Sequence, residues 1–169
     1  NHDYADYVKT ATAEQRSEME RLTRSLEGSM NWDLLLNERR ILRRGADSIV
    51  IAGTENDGRP PFPAKADYRK ALHGISPESF VIMMQHDPSA WRARILPESW
   101  AQLTLSGHTH GGQLRLFGWS PVSFTYDEWG GLYHEGRRHL FVSTGLGGLI
   151  PFRLGISGEI VVITLKKTL

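Results

Sequence analysis

The apolar residues of this chain come in short runs. The longest lie around Ile49–Ala52, Phe80–Met84 and Ile160–Leu165, and none reaches half a membrane span. Runs of this size, bounded by turn residues, are strand-sized. Ser48–Gly53 is apolar without alternation, which predicts a strand buried on both faces. Phe80–Gln85 predicts a second buried strand, stopped by Asp87-Pro88, and Leu103–Leu105 a third that ends in Ser106-Gly107. Short helical stretches at Tyr68–Leu72 and Trp91–Ile95 separate them. Upstream, Val8, Ala11, Met19, Leu22 and Leu26 fall near helical spacing, Glu20 and Arg24 pair at i,i+4, and Gly28 is a stop signal. They predict one helix over 5–27. Trp32–Leu36, Ile41–Arg43, Leu114–Phe117, Leu140–Ser143 and Glu159–Leu165 predict further strands. Strands with intervening helices imply an α/β (or α+β) fold, its sheets packed face to face or under helices.

Composition narrows the function classes. The length of 169 residues suits one domain, and 40% hydrophobic content with 17 Gly is that of a packed globular chain. The absence of Cys excludes disulfides, Fe–S clusters and Cys-based zinc sites. A net charge of +1 provides no electrostatic footprint for nucleic acid. No repeat or low-complexity segment occurs.

The chemistry sits where strands end. His86 follows the run Phe80–Met84, and His108 and His110 follow the run ending at Leu105. If the extended conformation continues, the i and i+2 imidazoles of His108 and His110 aim at one point. The glycines of Gly107-His108-Thr109-His110-Gly111-Gly112 permit a tight turn and leave room for an ion or phosphate. Neutral imidazole suits Zn, Fe or Mn, so a third imidazole from a neighbouring strand end makes a metal site geometrically reasonable. His73, His134 and His139 lack such a frame and read as surface or core histidines. Asn1-His2-Asp3 adds an amide oxygen and a carboxylate-backed imidazole able to reach a phosphoryl oxygen. Its plain alternative is a helix start capped by Asp3 or Asp6.

Asn1-His2-Asp3, His86 after a strand, and Gly107-His108-Thr109-His110 stand in the order shown by calcineurin-like metallophosphoesterases. Leu105-Ser106-Gly107-His108-Thr109-His110-Gly111-Gly112-Gln113 resembles the branch that includes bacterial membrane-associated phosphohydrolases. Ser143-Thr144-Gly145-Leu146-Gly147 and the closing run Glu159–Leu165 are similar to that branch's end. The resemblance covers essentially the whole chain. It implies a dinuclear site in a four-layer α-β-β-α sandwich, holding two divalent ions (Mn, Fe or Zn). By motif, Asn1, His86 and His108 would bind one ion and His110 the other. Gly111, Gly112 and Gln113 would border the substrate, and His2, steadied by Asp3, would face its phosphate. A hydroxide held between the ions would attack phosphorus in line, in a monoester, diester or pyrophosphate. His2 would stabilise the developing charge or protonate the leaving oxygen.

The family also uses an early Asp-x-His and a Gly-Asp pair, and this sequence contains neither. The chain starts at Asn1 rather than Met. The expectation is therefore a single domain over 1–169 that forms the C-terminal portion of such an enzyme. The upstream half would carry the remaining ligands and any signal or membrane anchor. Alone, the chain is expected to bind metal weakly and to show little activity. Its partners would be that upstream half or a second copy, together with a phosphate ester, lipid-linked esters included. Residues 117–133 hold Phe117, Trp119, Phe124, Tyr126, Trp129 and Tyr133, either an apolar lip for such a substrate or ordinary loop packing. Arg39, Arg40, Arg43 and Arg44 could meet anionic groups or form a solvated strand face, and Arg137-Arg138 reads the same way. A non-catalytic scaffold of the same fold, or a mononuclear zinc hydrolase using His86, His108 and His110, are the competing functions.

Overall fold

The apolar runs become adjacent strands. The computed structural model describes residues 1–5 and 8–167. It contains β1 (Glu38–Arg44), β2 (Asp47–Gly53), β3 (Val81–Met84), β4 (Leu103–Ser106), β5 (Gly131–Glu135) and β6 (Arg138–Val142). They form one mixed six-stranded sheet in the order β1-β2-β3-β4-β6-β5. The four inner strands run parallel, and the edge strands β1 and β5 pair antiparallel with β2 and β6. The helices are α1 (Ala13–Ser29), α2 (Tyr68–Ala71), a π-helical turn at Trp91–Ile95, and α3 (Leu96–Glu98) that continues it. This is an α/β arrangement.

Register explains which face is packed. Ala52, Met83, Thr104 and Leu140 stand side by side across four strands, and all four are fully buried. Val50, Val81 and Val142 lie on the same face two residues away. Tyr68, Leu72, Trp91 and Ile95 cover this face from the helical crossovers. The other face carries the row Met84, Leu105, Phe141 and Leu132, of which Met84 and Leu132 are exposed. β2 is thus covered on one face, not both, with Ile49 and Ile51 half-buried. The apolar stripe of α1 is also open: Met19, Leu22 and Leu26 are exposed and no residue of the helix is buried. β1 is a solvated edge whose arginines discourage further pairing, and Arg40 bonds Asp33 at 2.6 Å.

Several expected elements change, each for a local reason. The helix predicted over 5–27 begins at Ala13, because Thr12 and Gln15 close a reciprocal capping box. Ahead of it lies a 3-10 turn, His2–Tyr4, ended by Ala5 at a left-handed φ of 51°. Residues 6 and 7, including the alternative cap Asp6, lie outside the described residues. Trp32–Leu36 is not a strand; Leu35 is buried against Gly53. Leu114–Phe117 makes isolated bridges only, since Leu116 and Trp119 close a tight turn on each other. Glu159–Leu165 finds no ladder partner among the described residues, and Ile160 and Val162 are exposed. An apolar run becomes a strand only where a neighbouring backbone is free to pair with it. β5 was not expected; its register comes from the hairpin turn at Gly136, where φ is 57°.

Candidate metal centre

Two strand ends build the site. Beyond β3 and β4 the backbones remain tied: Gln85 N donates to Leu105 O at 3.1 Å, and Gly107 N to His86 O at 3.0 Å. The Ser106 hydroxyl adds a 2.6 Å bond to Gln85 O. His86 and His108 therefore emerge side by side. The third element is the 3-10 turn after Asn1. The Tyr4 hydroxyl reaches Glu55 Oε1 at 3.5 Å and Asn56 N at 3.4 Å, and Lys65 Nζ lies 4.2 Å from the Tyr4 ring centre. These contacts moor Asn1 against the end of β2.

Three side-chain atoms converge there. Asn1 Oδ1 is 2.9 Å from His86 Nε2 and 3.1 Å from His108 Nδ1, and the two ring nitrogens are 3.3 Å apart. Donors that share one ion at about 2.1 Å stand about 3.0 Å apart at right angles and about 3.4 Å apart in a tetrahedron. The observed triangle has that size, so these residues fit a divalent cation. Both imidazoles favour the neutral form that a metal requires. Burial, helped by the neighbouring imidazoles, lowers the His86 pKa well below its ordinary value. One side of His86 remains exposed, which screens part of that shift. Burial also lowers His108, against the opposing pull of Asp87. The donor set is two imidazoles and an amide, and among the described residues no three His, Asp or Glu side chains gather to hold a metal.

The remaining expected residues are distributed around this triangle. His108 adopts a left-handed φ of 68°, so extended alternation stops and His110 does not aim at the same point. His110 opens the next turn, with its ring against the Gly147 backbone; burial and then Arg153 lower its pKa. It stays close enough to act electrostatically on both His86 and His108. His2 and Asp3 are exposed in the first turn, and His2 lies close enough to act electrostatically on all three imidazoles. His134 and His139 face one another on the β5–β6 hairpin, ring centres 6.4 Å apart. His73 is exposed after α2.

Gly111, Gly112 and Gln113 differ most from expectation. A Cβ on Gly111 would lie 2.2 Å from Ile156 Cδ1, and one on Gly112 2.4 Å from Ser120 Oγ. Their missing side chains admit neighbouring protein. Gln113 is buried; its amide donates to Ile150 O and Phe152 O and accepts from Leu149 N and Ile150 N. All four hydrogen-bonding positions are occupied, so its side chain holds the 149–152 loop and has none left for substrate. Arg153 binds the same region, donating to Thr144 O at 2.7 Å and to Gly147 O.

Two further residues stand against His108. Tyr126 Oη is 2.7 Å from His108 Nε2, and Asp87 Oδ2 is 3.6 Å from the same nitrogen. Asp87 had been read only as a strand stop, although a carboxylate next to a candidate ligand was a usable signal. Tyr126 belongs to the aromatic segment that follows the histidine motif, and 17 intervening residues bring it back to His108. The aromatic segment divides: Phe117 and Phe124 are exposed, Tyr126 joins the site, and Trp129 stacks with Arg115 at 5.7 Å. An open cleft of ≈ 440 Å³ runs from His86 and Gly107 past Thr54 to Trp32. A larger groove of ≈ 670 Å³ lies along α1, lined by Val8, Ala11, Met19 and Leu22 among others, away from these side chains.

Curated relatives are similar to this sequence. It is 38% identical over 108 residues to an uncharacterized metallophosphoesterase of Bacillus subtilis, covering 60% of this chain and 36% of that protein. An uncharacterized metallophosphoesterase of Aquifex aeolicus is 32% identical over 135 residues, 75% of this chain and 51% of its own. A protein of Escherichia coli named a phosphodiesterase is 35% identical over 140 residues, 78% of this chain and 47% of its own. The chain belongs to the calcineurin-like metallophosphoesterases. It spans about a third to a half of the length of these metallophosphoesterase relatives. No family model matches the chain, and no solved structure does. Among the described residues no helix is long and apolar enough to cross a membrane.

Proposed function

We propose that this metallophosphoesterase chain contributes the phosphate-hydrolysing site at the ends of β3 and β4. The observation that supports the reading is the triangle of Asn1 Oδ1, His86 Nε2 and His108 Nδ1 with sides of 2.9–3.3 Å. When bound, a divalent cation there supplies Lewis-acid polarisation of a phosphoryl oxygen and acidifies water. The protein's own part is to hold two neutral imidazoles and an amide oxygen in fixed register on two paired strand ends. His110 is the donor for a second ion. His2 donates a hydrogen bond to a non-bridging or leaving oxygen of the phosphate, and Asp3 steadies it. The donor set is neutral, so two divalent ions call for carboxylates beyond those gathered here; the family's Asp-x-His and Gly-Asp motifs supply such groups. A phosphodiester is the preferred substrate class, in keeping with the name of the Escherichia coli relative. The exposed Phe117 and Phe124 suit an apolar leaving group.

The test is hydrolysis of bis-p-nitrophenyl phosphate and p-nitrophenyl phosphate with Mn or Zn, using this chain with and without any natural upstream sequence. Metal-dependent turnover, faster on the diester and abolished by His108→Ala, is expected with the longer protein. Metal binding without hydrolysis in either form would favour the non-catalytic scaffold, a reading favoured by the neutral donor set. No metal dependence at all would overturn the proposal.

A further inference from the structure

We infer that Asp87 and Tyr126 are positioning residues that act through His108, holding its ring in the tautomer and orientation a cation needs. The inference rests on the metal-site reading above. His108 Nδ1 faces Asn1 and His86, and Nε2 faces the protein, 2.7 Å from Tyr126 Oη and 3.6 Å from Asp87 Oδ2. Asp87 has no solvent exposure. Its Oδ1 accepts from Ser89 N at 2.9 Å, but Oδ2 is buried without a hydrogen-bond partner. An orphaned carboxylate oxygen is costly in a protein interior. That cost is offset when the carboxylate faces an imidazole whose other nitrogen binds a cation, the usual carboxylate–histidine–metal relay.

The surroundings enforce this arrangement. Gly58 lies over the carboxylate: a Cβ there would stand 3.0 Å from Asp87 Oδ2 and 2.7 Å from Phe62 Cβ. Phe62 and His86 both meet the His108 ring edge-to-face with centres 5.1 Å apart. Tyr126 is held in turn by Arg59, which donates to Thr125 O at 2.8 Å and lies 5.9 Å from the Tyr126 ring. With the Nε2 proton directed at Tyr126 and Asp87, the Nδ1 lone pair is left for the ion.

The test compares the wild type with Asp87→Asn and Tyr126→Phe, with His108→Ala as the null for binding. Affinity for Zn(II) alone is measured by chelator competition. The His108 tautomer is read in the metal-free protein from long-range nitrogen–proton NMR correlations, and thermal midpoints are taken in EDTA. The expected results are a Zn(II) affinity about 10–100-fold weaker in each variant, a His108 ring that leaves the pure Nε2–H tautomer, and little change in the metal-free midpoint. A lowered metal-free midpoint with unchanged affinity and tautomer would make the two residues merely structural and overturn the inference. A wild type that binds no Zn(II) would overturn the metal-site reading itself. Tight binding equal in all but His108→Ala would overturn only the positioning role. Should Asp87→Asn not fold, Tyr126→Phe carries the test, since it removes a single hydroxyl.

Discussion

Replacing Gln85 by Met tests whether the site loops are held by one buried amide. The two side chains have similar volume, so repacking alone costs less than about 1.5 kcal/mol. The lost hydrogen bonds matter more. Gln85 Nε2 donates to Thr54 Oγ1 at 2.6 Å and Glu55 O at 3.0 Å, and Oε1 accepts from the backbone N–H groups of Asp57 and Asp87 at 3.3 Å each. Gln85, Asp57 and Asp87 are all buried, so the two N–H groups have no replacement partner nearby. Each orphaned group costs about 1–3 kcal/mol, and the long 3.3 Å bonds argue for the lower half of that range. The Thr54 hydroxyl is half-buried and can turn to water. The sum is about 2–4 kcal/mol, less about 1 kcal/mol regained by burying an apolar chain. A net loss of about 1–3 kcal/mol corresponds to about 2–12 °C in the thermal midpoint of a domain this size. Urea unfolding followed by tryptophan fluorescence should show a lower midpoint at unchanged slope. A change below about 0.5 kcal/mol, or a gain, would refute the view that this amide holds the ends of β2 and β3 together.

Other outcomes follow from the same structure. Thr104 is fully buried and its hydroxyl has no partner, so Thr104→Val should stabilise by about 1 kcal/mol; a lower urea midpoint would contradict this. Gly111→Ala should cost about 2–3 kcal/mol, because φ is +61° and Ile156 blocks the site. Gly136→Ala, at φ +57° with nothing within 4 Å, should cost only about 1 kcal/mol, and equal losses in the two variants would refute the steric account. Tyr4 and Tyr126 are raised to about 12, mainly by burial. An acid whose folded pKa exceeds its unfolded value stabilises below the unfolded value, and that stability is lost as pH rises from about 10 to about 12. Absorbance at about 295 nm should therefore show late tyrosine ionisation that coincides with loss of structure; ordinary titration in an intact fold would refute it.

How much was legible in the sequence depends on the distance between cause and effect along the chain. Ser48–Gly53, Phe80–Gln85 and Leu103–Leu105 read as strands because a buried parallel strand must be apolar throughout its own few residues. His86 and His108 read as candidates because a strand end is a local feature and parallel pairing brings such ends together. The common aim of His108 and His110 was not legible, because it assumed extended spacing where left-handed backbone begins at His108. Asp87 and Tyr126 acquire a role only through contact with His108, and no spacing rule encodes that contact.

The sequence by itself determined the α/β class, the strand ends that carry the imidazoles and, by kinship, the metallophosphoesterase family. Periodicity, turn residues and motif order are properties of neighbouring residues, and they survive without knowledge of the fold. Tertiary structure alone decided which apolar runs find a ladder partner, that Gln113 is consumed by its own loop, and that Asn1, His86 and His108 meet within 3.3 Å. Each of these depends on hydrogen-bonding groups from distant parts of the chain competing for the same space, and only the folded backbone sets who wins.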